Sequence, residues 1–168
     1  VEDFGSNVIS FGEDESSDLR ISNIEVLSNV ITSTILDQEQ NLWNIKLKTA
    51  GKHYMKNAAG LLALVASLKL NSSKAISALQ NWSPLAGRGQ VLEIKLKDGN
   101  CNIAIKLIDE SYNANPGSVK SSLETLACIF TNKKNKCEHS RRIAVLGDML
   151  ELGLSEVQEH VNISKFAS

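Results

Sequence analysis

Apolar and polar residues alternate with a period of two through much of the first fifty positions. Alternation is clearest in Leu42-Trp43-Asn44-Ile45-Lys46-Leu47 and in Ile31-Thr32-Ser33-Thr34-Ile35, where β-branched residues dominate. The pattern predicts short strands at Val8 to Phe11, Ile24 to Leu27, Val30 to Ile35 and Leu42 to Leu47. Between the first two, Gly12 to Arg20 is polar and acidic, as in a solvated surface loop. After Gly51 the period lengthens. Ala58, Leu61, Leu62, Val65 and Leu68 recur at spacings of three and four, predicting a helix from near His53 with one apolar stripe. A shorter helix is predicted from Ser72 to Gln80, with Asn71 as its cap and Ile76 and Leu79 facing inward.

The segment Asn81-Trp82-Ser83-Pro84-Leu85-Ala86-Gly87 interrupts this periodicity and marks a domain boundary, with Ser83 to Gly89 as a hinge. Beyond it Leu92, Ile94 and Leu96 alternate with Glu93, Lys95 and Lys97. Asp98-Gly99 supplies a turn, and Ile103, Ile105 and Leu107 resume the alternation: a β-hairpin. A helix over 116–130 places Val119, Leu123, Leu126, Ala127 and Phe130 on one face, followed by a basic, exposed loop at Asn132 to Lys136. Ile143-Ala144-Val145-Leu146-Gly147 reads as a buried parallel strand. Ser155-Glu156-Val157-Gln158 reads as a capping box opening a last helix. The predicted class is α/β, with the second sheet cut short at Ser168.

Composition narrows the function classes. The 168 residues are 42% hydrophobic and 22% charged, as in a globular protein with a sizeable core. A net charge of -1 gives no electrostatic argument for nucleic acid or an anionic membrane. No apolar run approaches the roughly 18 residues of a membrane span. Three cysteines (Cys101, Cys128, Cys137) lack CxxC spacing, so neither a disulfide framework nor a zinc site is favoured, and a reduced, cytoplasmic setting is the default. His53, His139 and His160 have no metal-ligand spacing. The chain opens on Val1 rather than Met, as a fragment of something longer would.

Candidate chemistry centres on Leu107 to Pro116, LIDESYNANP. Asp109 and Glu110 stand at the carboxyl end of a predicted strand, just before a helix, where open α/β sheets bind ligands. Asn115-Pro116 fixes the helix start. The competing reading is a polar connection that only reverses the chain. Gly51-Lys52-His53-Tyr54-Met55-Lys56-Asn57 lies at another strand-to-helix junction, a natural site for an anion or nucleotide. The amide of Asn57 offers a donor and an acceptor together, suited to an adenine edge, or simply points to solvent. Arg88, between Gly87 and Gly89, can approach phosphate or ribose closely, or is a flexible linker residue. Asp148 again puts an acid at a strand's end. No GxxxxGK[ST], GxGxxG or GxSxG occurs, so the chain has no recognisable phosphate-activating loop of its own.

Taken in order, GKHYMKNAAG, LAGRG, LIDESYNANPGS and RRIAVLGDMLELG, with Ser155 and His160 after them, resemble the Mur ligases of peptidoglycan synthesis over about residues 4–168. SYNANP and GDMLELG are the most specific of these, and resemble the branch that accepts D-alanyl-D-alanine. The resemblance implies an ATP-dependent amide ligase with UDP-sugar-binding, central ATPase and Rossmann-like C-terminal domains. Its substrates would be UDP-N-acetylmuramoyl-tripeptide, activated as an acyl phosphate, and D-alanyl-D-alanine. It further implies a cytoplasmic monomer, with Mg²⁺ held by phosphates and central-domain residues. Residues 1–86 would match the later part of the central domain and 87–168 the first part of the C-terminal domain.

Carried over by position, Asn57 matches the family's adenine-contacting Asn, and Arg88 its linker Arg near ribose and phosphate. The acid before Ser-Tyr matches the ribose-binding carboxylate, and His53 belongs to the same nucleotide-side motif. Tyr112, Asn113 and Asn115 would line a substrate cleft, with Asp148 and Glu151 shaping the acceptor side. Two positions depart from the pattern. Tyr54 stands where the family has Asn after the motif's His, and Glu110 stands where it has Asp, with Asp109 one residue earlier. Either acid could reach a ribose. The family's phosphate-binding loop, its Mg²⁺ ligands and its modified lysine would precede Val1, so no catalytic set is complete and the isolated chain is expected to be inactive. Two alternatives stay open: a non-catalytic Mur-like module binding nucleotide or a partner, and another ligase of the superfamily, such as a folylpolyglutamate synthase.

Overall fold

The computed structural model describes residues 8–27, 29–98, 101–129 and 141–167. The described chain divides into two compact units. One holds the described residues of Val1–Glu25, Val30–Lys48 and Lys52–Trp82; the other holds those of Val26–Asn29, Thr49–Gly51 and Ser83–Ser168.

The first unit is a four-stranded sheet with two helices against it. Strands β1 (Phe11–Gly12), β2 (Leu19–Leu27), β3 (Val30–Leu36) and β4 (Leu42–Leu47) lie in the order β1-β2-β3-β4. Strand β1 runs parallel to β2, pairing Phe11 with Leu19, whereas β3 and β4 are antiparallel, from Ile31 opposite Leu47 to Leu36 opposite Leu42. The β3–β4 register is set by the turn. Asp37 accepts the Asn41 N–H on its carboxylate at 2.7 Å, and Gln40 takes a positive φ of 64°. Alternation then directs Ile31, Ile35, Ile45 and Leu47 inward, each at most 1% exposed.

Helix α1 (Lys52–Ser67) buries Met55, Ala58, Ala59, Leu62 and Ala63. The buried stripe is rotated from the predicted one: Leu61 and Leu68 are exposed, and small alanines let the helix approach closely instead. At Gly60 the ring of Phe11 lies 2.8 Å from where a Cβ would stand. Helix α2 (Ser72–Asn81) starts at Asn71, whose side chain accepts the Lys74 N–H at 2.9 Å, as its sequence predicts. Ile76 and Leu79 are half-buried.

Two strand predictions need correction here. Val8 to Ser10 is not strand, and β2 begins at Leu19 rather than Ile24. Leu19 and Ile21 are both buried and extend the inward alternation, so the acidic loop ends sooner than its charge implied. The loop itself is internally bonded. Asp18 accepts from the Ser10 N–H and hydroxyl at 2.6 and 2.7 Å, and Arg20 pairs with Glu15 at 2.7 Å.

In the second unit β5 (Gln90–Asp98) and β6 (Cys101–Asp109) form the predicted antiparallel hairpin. Leu92 faces Leu107 and Ile94 faces Ile105, while Glu93 faces Lys106 on the other side. Gly99 of the predicted turn lies outside the described residues. Helix α3 (Pro116–Ile129) is capped reciprocally: Asn115 accepts the Ser118 N–H at 2.9 Å, and the Ser118 hydroxyl accepts the Asn115 N–H at 3.0 Å. Thr125 and Ile129 are its buried residues; Val119, Leu123 and Leu126 are half-buried and Ala127 is exposed. The side chain of Phe130 and the basic segment 132–136 lie outside the described residues.

Helix α4 (Glu156–Ala167) follows a single 3-10 turn at Gly153–Ser155 and packs against α3. The predicted capping box is not seen: Ser155 ends the 3-10 turn, and its hydroxyl donates back to the Leu152 carbonyl at 2.8 Å. Ile143 to Gly147 is likewise not a strand. It is extended chain with Ile143 72% and Val145 92% exposed. A parallel strand is stabilised only by neighbouring strands and by helices covering its faces, and among the described residues no strand pairs with this segment.

Candidate nucleotide-side elements

The residues singled out by sequence fall in both units. His53 and Asn57 belong to the first; Arg88, Asp109, Glu110, Tyr112, Asn113, Asn115, Asp148 and Glu151 belong to the second.

In the first unit, His53 and Asn57 occupy the opening turns of α1, where unpaired backbone N–H groups and the helix dipole favour negative charge. Asn57 is exposed. His53 is half-buried, its Nδ1 is buried without a hydrogen-bond partner, and burial pushes its imidazole below the ordinary histidine range. Tyr54, the departure from the family motif, packs between two rings: His53 at 4.1 Å and Trp82 at 5.2 Å between centroids. The phenol thus replaces a polar side chain with a link between the start of α1 and the residue that ends α2.

The second unit brings Arg88, Asp109 and Tyr112 together. Asp109 ends β6 and engages both carboxylate oxygens locally. Oδ1 accepts the Ser111 hydroxyl at 2.7 Å and the Ser111 N–H at 3.1 Å, while Oδ2 accepts the Gly87 N–H at 3.0 Å. The Ser111 hydroxyl and then its N–H hold this carboxyl below its usual range; burial opposes them, and the Gly87 N–H adds a lesser pull downward. The backbone completes the staple: Gly89 donates to the Asp109 carbonyl at 2.8 Å and Tyr112 to the Gly87 carbonyl at 3.0 Å. Between these bonds Arg88 is exposed, with its guanidinium 3.8 Å from the centroid of the Tyr112 ring.

The two flanking glycines are demanded by backbone geometry rather than by room for the arginine. Gly87 and Gly89 have φ of 75° and 85°, and a Cβ on Gly87 would meet the Tyr112 backbone N and Cβ at 3.1 Å. This bears on one end of the predicted hinge: Gly87 to Gly89 is buried at both glycines and bonded at every N–H, a fixed turn of the second unit, whereas Ser83, Leu85 and Ala86 are exposed.

Glu110 differs from its neighbour. It is half-buried, and burial raises its carboxyl above the usual range, with the Asp109 charge adding to the effect and a Ser122 hydrogen bond opposing it. Asn113 accepts the Ala114 N–H at 2.9 Å, and Asn115 is committed to the cap of α3. Asp148 and Glu151 flank Met149, which is 2% exposed, and Glu151 adopts an unusual φ of 61°. This loop is latched by His160, whose Nε2 accepts the Met149 N–H at 3.0 Å while Nδ1 bonds the Glu156 carbonyl at 2.8 Å. That pair of contacts assigns the hydrogen to Nδ1.

Ser111, Trp82 and the latching role of His160 were not evident in the sequence. The Asp-x-Ser spacing is a recognisable side-chain turn, so Ser111 carried a signal; the ring contact of Trp82 and the latch carried none.

No family model matches the chain. A UDP-N-acetylmuramoyl-tripeptide–D-alanyl-D-alanine ligase of Mycobacterium tuberculosis is 33% identical over 125 residues, covering 73% of this chain and 22% of the relative. A UDP-N-acetylmuramate–L-alanine ligase of Clostridium acetobutylicum is 32% identical over 149 residues, covering 84% and 30%. Among solved structures, MurF ligase of Thermotoga maritima in complex with ADP superposes with a TM-score of 0.69 at 21% identity, over 95% of this chain and 33% of that one. The chain thus spans about a third or less of the length of these proteins. With the family's motifs in order along the sequence and its fold shared by the structure, the chain belongs to the Mur ligase family.

Proposed function

We propose that this chain supplies the adenosine-holding side of an ATP-dependent amide ligase that joins D-alanyl-D-alanine to UDP-N-acetylmuramoyl-tripeptide. In this reading residues 1–86 are the later part of the central domain and 87–168 the first part of the C-terminal domain. The observation that carries it is the stapled Gly87-Arg88-Gly89 turn, whose guanidinium stacks on Tyr112 and whose backbone is bonded to Asp109 at the end of a strand. Asn57 at the start of α1 reads an adenine edge, Arg88 faces ribose and phosphate, and a carboxylate of the acid pair accepts ribose hydroxyls. Tyr112, Asn113, Asp148 and Glu151 border the peptide and acceptor.

ATP would supply the phosphoryl group that activates the peptide carboxylate. This chain's part is to bind and orient the nucleoside, which lowers the entropic cost of the transfer step without touching the phosphoryl group itself. Among the described residues no three His, Cys, Asp or Glu side chains cluster as a metal-ligand set. No step is assigned to Mg²⁺ on this chain, and the 168 residues alone are inactive in this reading.

The test is an ADP-release assay on the polypeptide encoded by the complete reading frame. Turnover is expected only when UDP-N-acetylmuramoyl-tripeptide and D-alanyl-D-alanine are both present. The similarity to an L-alanine ligase supports a second reading of the acceptor. Turnover with UDP-N-acetylmuramate and L-alanine instead would select it, and turnover by the 168-residue chain alone would overturn the division of labour.

A further inference from the structure

Of the two adjacent acids, Asp109 is the one bonded to the turn that carries Arg88. We infer that Asp109 is a positioning residue that sets Arg88, while Glu110, the acid before Ser-Tyr, keeps the ribose contact that the resemblance already implies; this rests on the nucleotide-side reading above. Three donors converge on the Asp109 carboxylate, two from Ser111 and one from Gly87, at 2.7 to 3.1 Å. These bonds use both oxygens and fix the carboxylate's orientation toward Gly87 and Ser111, leaving at most one acceptor site, on Oδ2.

What those bonds accomplish is specific. Arg88 stands on a turn whose two glycines sit in the left-handed region, immediately before β5. The turn is held by bonds on both sides of the arginine. The Gly87 N–H goes to the Asp109 side chain, the Gly89 N–H to the Asp109 carbonyl, and the Gly87 carbonyl receives the Tyr112 N–H. One residue therefore grips both ends of the Gly-Arg-Gly unit. The same carboxylate, through Ser111, shapes the step that brings Tyr112 under the guanidinium. Glu110 lies between these anchors in sequence, is half-buried, and carries a carboxyl with one opposing hydroxyl contact, from Ser122.

A residue acting through another leaves a distinctive trace in a double-mutant cycle. In the polypeptide of the complete reading frame, Asp109→Asn retains an acceptor for Ser111 but turns an amide donor toward the Gly87 N–H. ADP affinity is expected to fall about tenfold, the scale of one charge-assisted hydrogen bond. In an Arg88→Ala background the same change is expected to have no further effect, because the side chain it positions is gone. Glu110→Gln is expected to weaken ADP binding by a similar factor in both backgrounds. Ser111→Ala, a milder cut at the same carboxylate, repeats the Asp109 pattern at smaller amplitude and keeps the test open if Asp109→Asn does not fold.

Additive losses for Asp109→Asn and Arg88→Ala would show direct ligand contact and overturn the inference, as would unchanged affinity in Asp109→Asn. Failure of the unsubstituted protein to bind any adenine nucleotide would sink the nucleotide reading and this inference together. Amide exchange at Gly87 then separates the two. Lost protection in Asp109→Asn shows that the grip exists although its ligand was misread, and unchanged protection shows that the grip itself was wrong.

Discussion

Both units carry apolar alternation of similar regularity, and only one of them buries it. In the four-stranded unit Ile31, Ile35, Ile45 and Leu47 face α1 and α2 and are at most 1% exposed. In the hairpin of the second unit Leu92, Ile94, Leu96, Ile105 and Leu107 share a face with the same spacing, yet each keeps between 37% and 46% of its surface. Period two states which side chains share a face; burial depends on what covers that face. A two-stranded ribbon is marginal without such a cover. The second unit is accordingly held more by directed hydrogen bonds, at Asp109, Asn115 and His160, than by a deep core.

The sharpest way to break this contrast is a pair of truncations. Leu62 is fully buried beneath the sheet of the first unit, and Leu62→Ala is expected to cost about 2–5 kcal/mol. Leu107→Ala, at 44% exposure in the hairpin, is expected to cost below about 1 kcal/mol. Urea unfolding followed by far-ultraviolet circular dichroism measures both. Equal losses would mean that the hairpin face is as well packed as the core of the first unit.

Glycines provide the next comparison. Gly87→Ala forces a side chain into the left-handed region and against the Tyr112 backbone, an expected loss of about 1–3 kcal/mol. Gly60→Ala meets only the Phe11 ring, which is 47% exposed and free to shift. The helix-propensity gain of up to about 1 kcal/mol then offsets most of the displacement. Thermal unfolding distinguishes them: Gly87→Ala lowers the midpoint and Gly60→Ala leaves it nearly unchanged.

These residues also show how much the sequence could disclose. Elements whose signals are local were legible: the Asn71 and Asn115 caps, the β3–β4 alternation and the hairpin register all depend on neighbours a few positions away. Features that depend on a distant partner were not. The inward face of α1 differs from the periodic stripe, and Phe11 lies over Gly60, a contact that helical periodicity does not encode. Ile143 to Gly147 has the composition of a parallel strand and lacks the neighbours that would make it one. At the candidate site the two acids were visible but their roles were not, since Asp109 and Glu110 separate only through Ser111, Gly87 and Ser122.

That separation yields the smallest and most discriminating prediction, a pH dependence of opposite sign at adjacent residues. Asp109 has a depressed folded-state pKa, so its contribution is present above the unfolded value and lost as pH falls through the folded one. Glu110 has a raised folded-state pKa. Below the unfolded value both states hold the proton and nothing is lost. As pH rises through the unfolded and then the folded value, the unfolded chain ionises first and native stability declines, remaining lower at neutral pH. Glu110→Gln removes that penalty and is expected to raise the midpoint of thermal unfolding by about 1–2 °C at pH 7, a small gain because the group is only half-buried and screened. At pH 3 the gain should vanish. Asp109→Asn should instead lower the midpoint at pH 7 and converge with the unsubstituted protein as the medium is acidified. A stabilised Glu110→Gln protein that binds ADP less well would show that burying this carboxylate costs stability in exchange for a ligand contact, whereas matching pH profiles for the two variants would mean that the acids share one role.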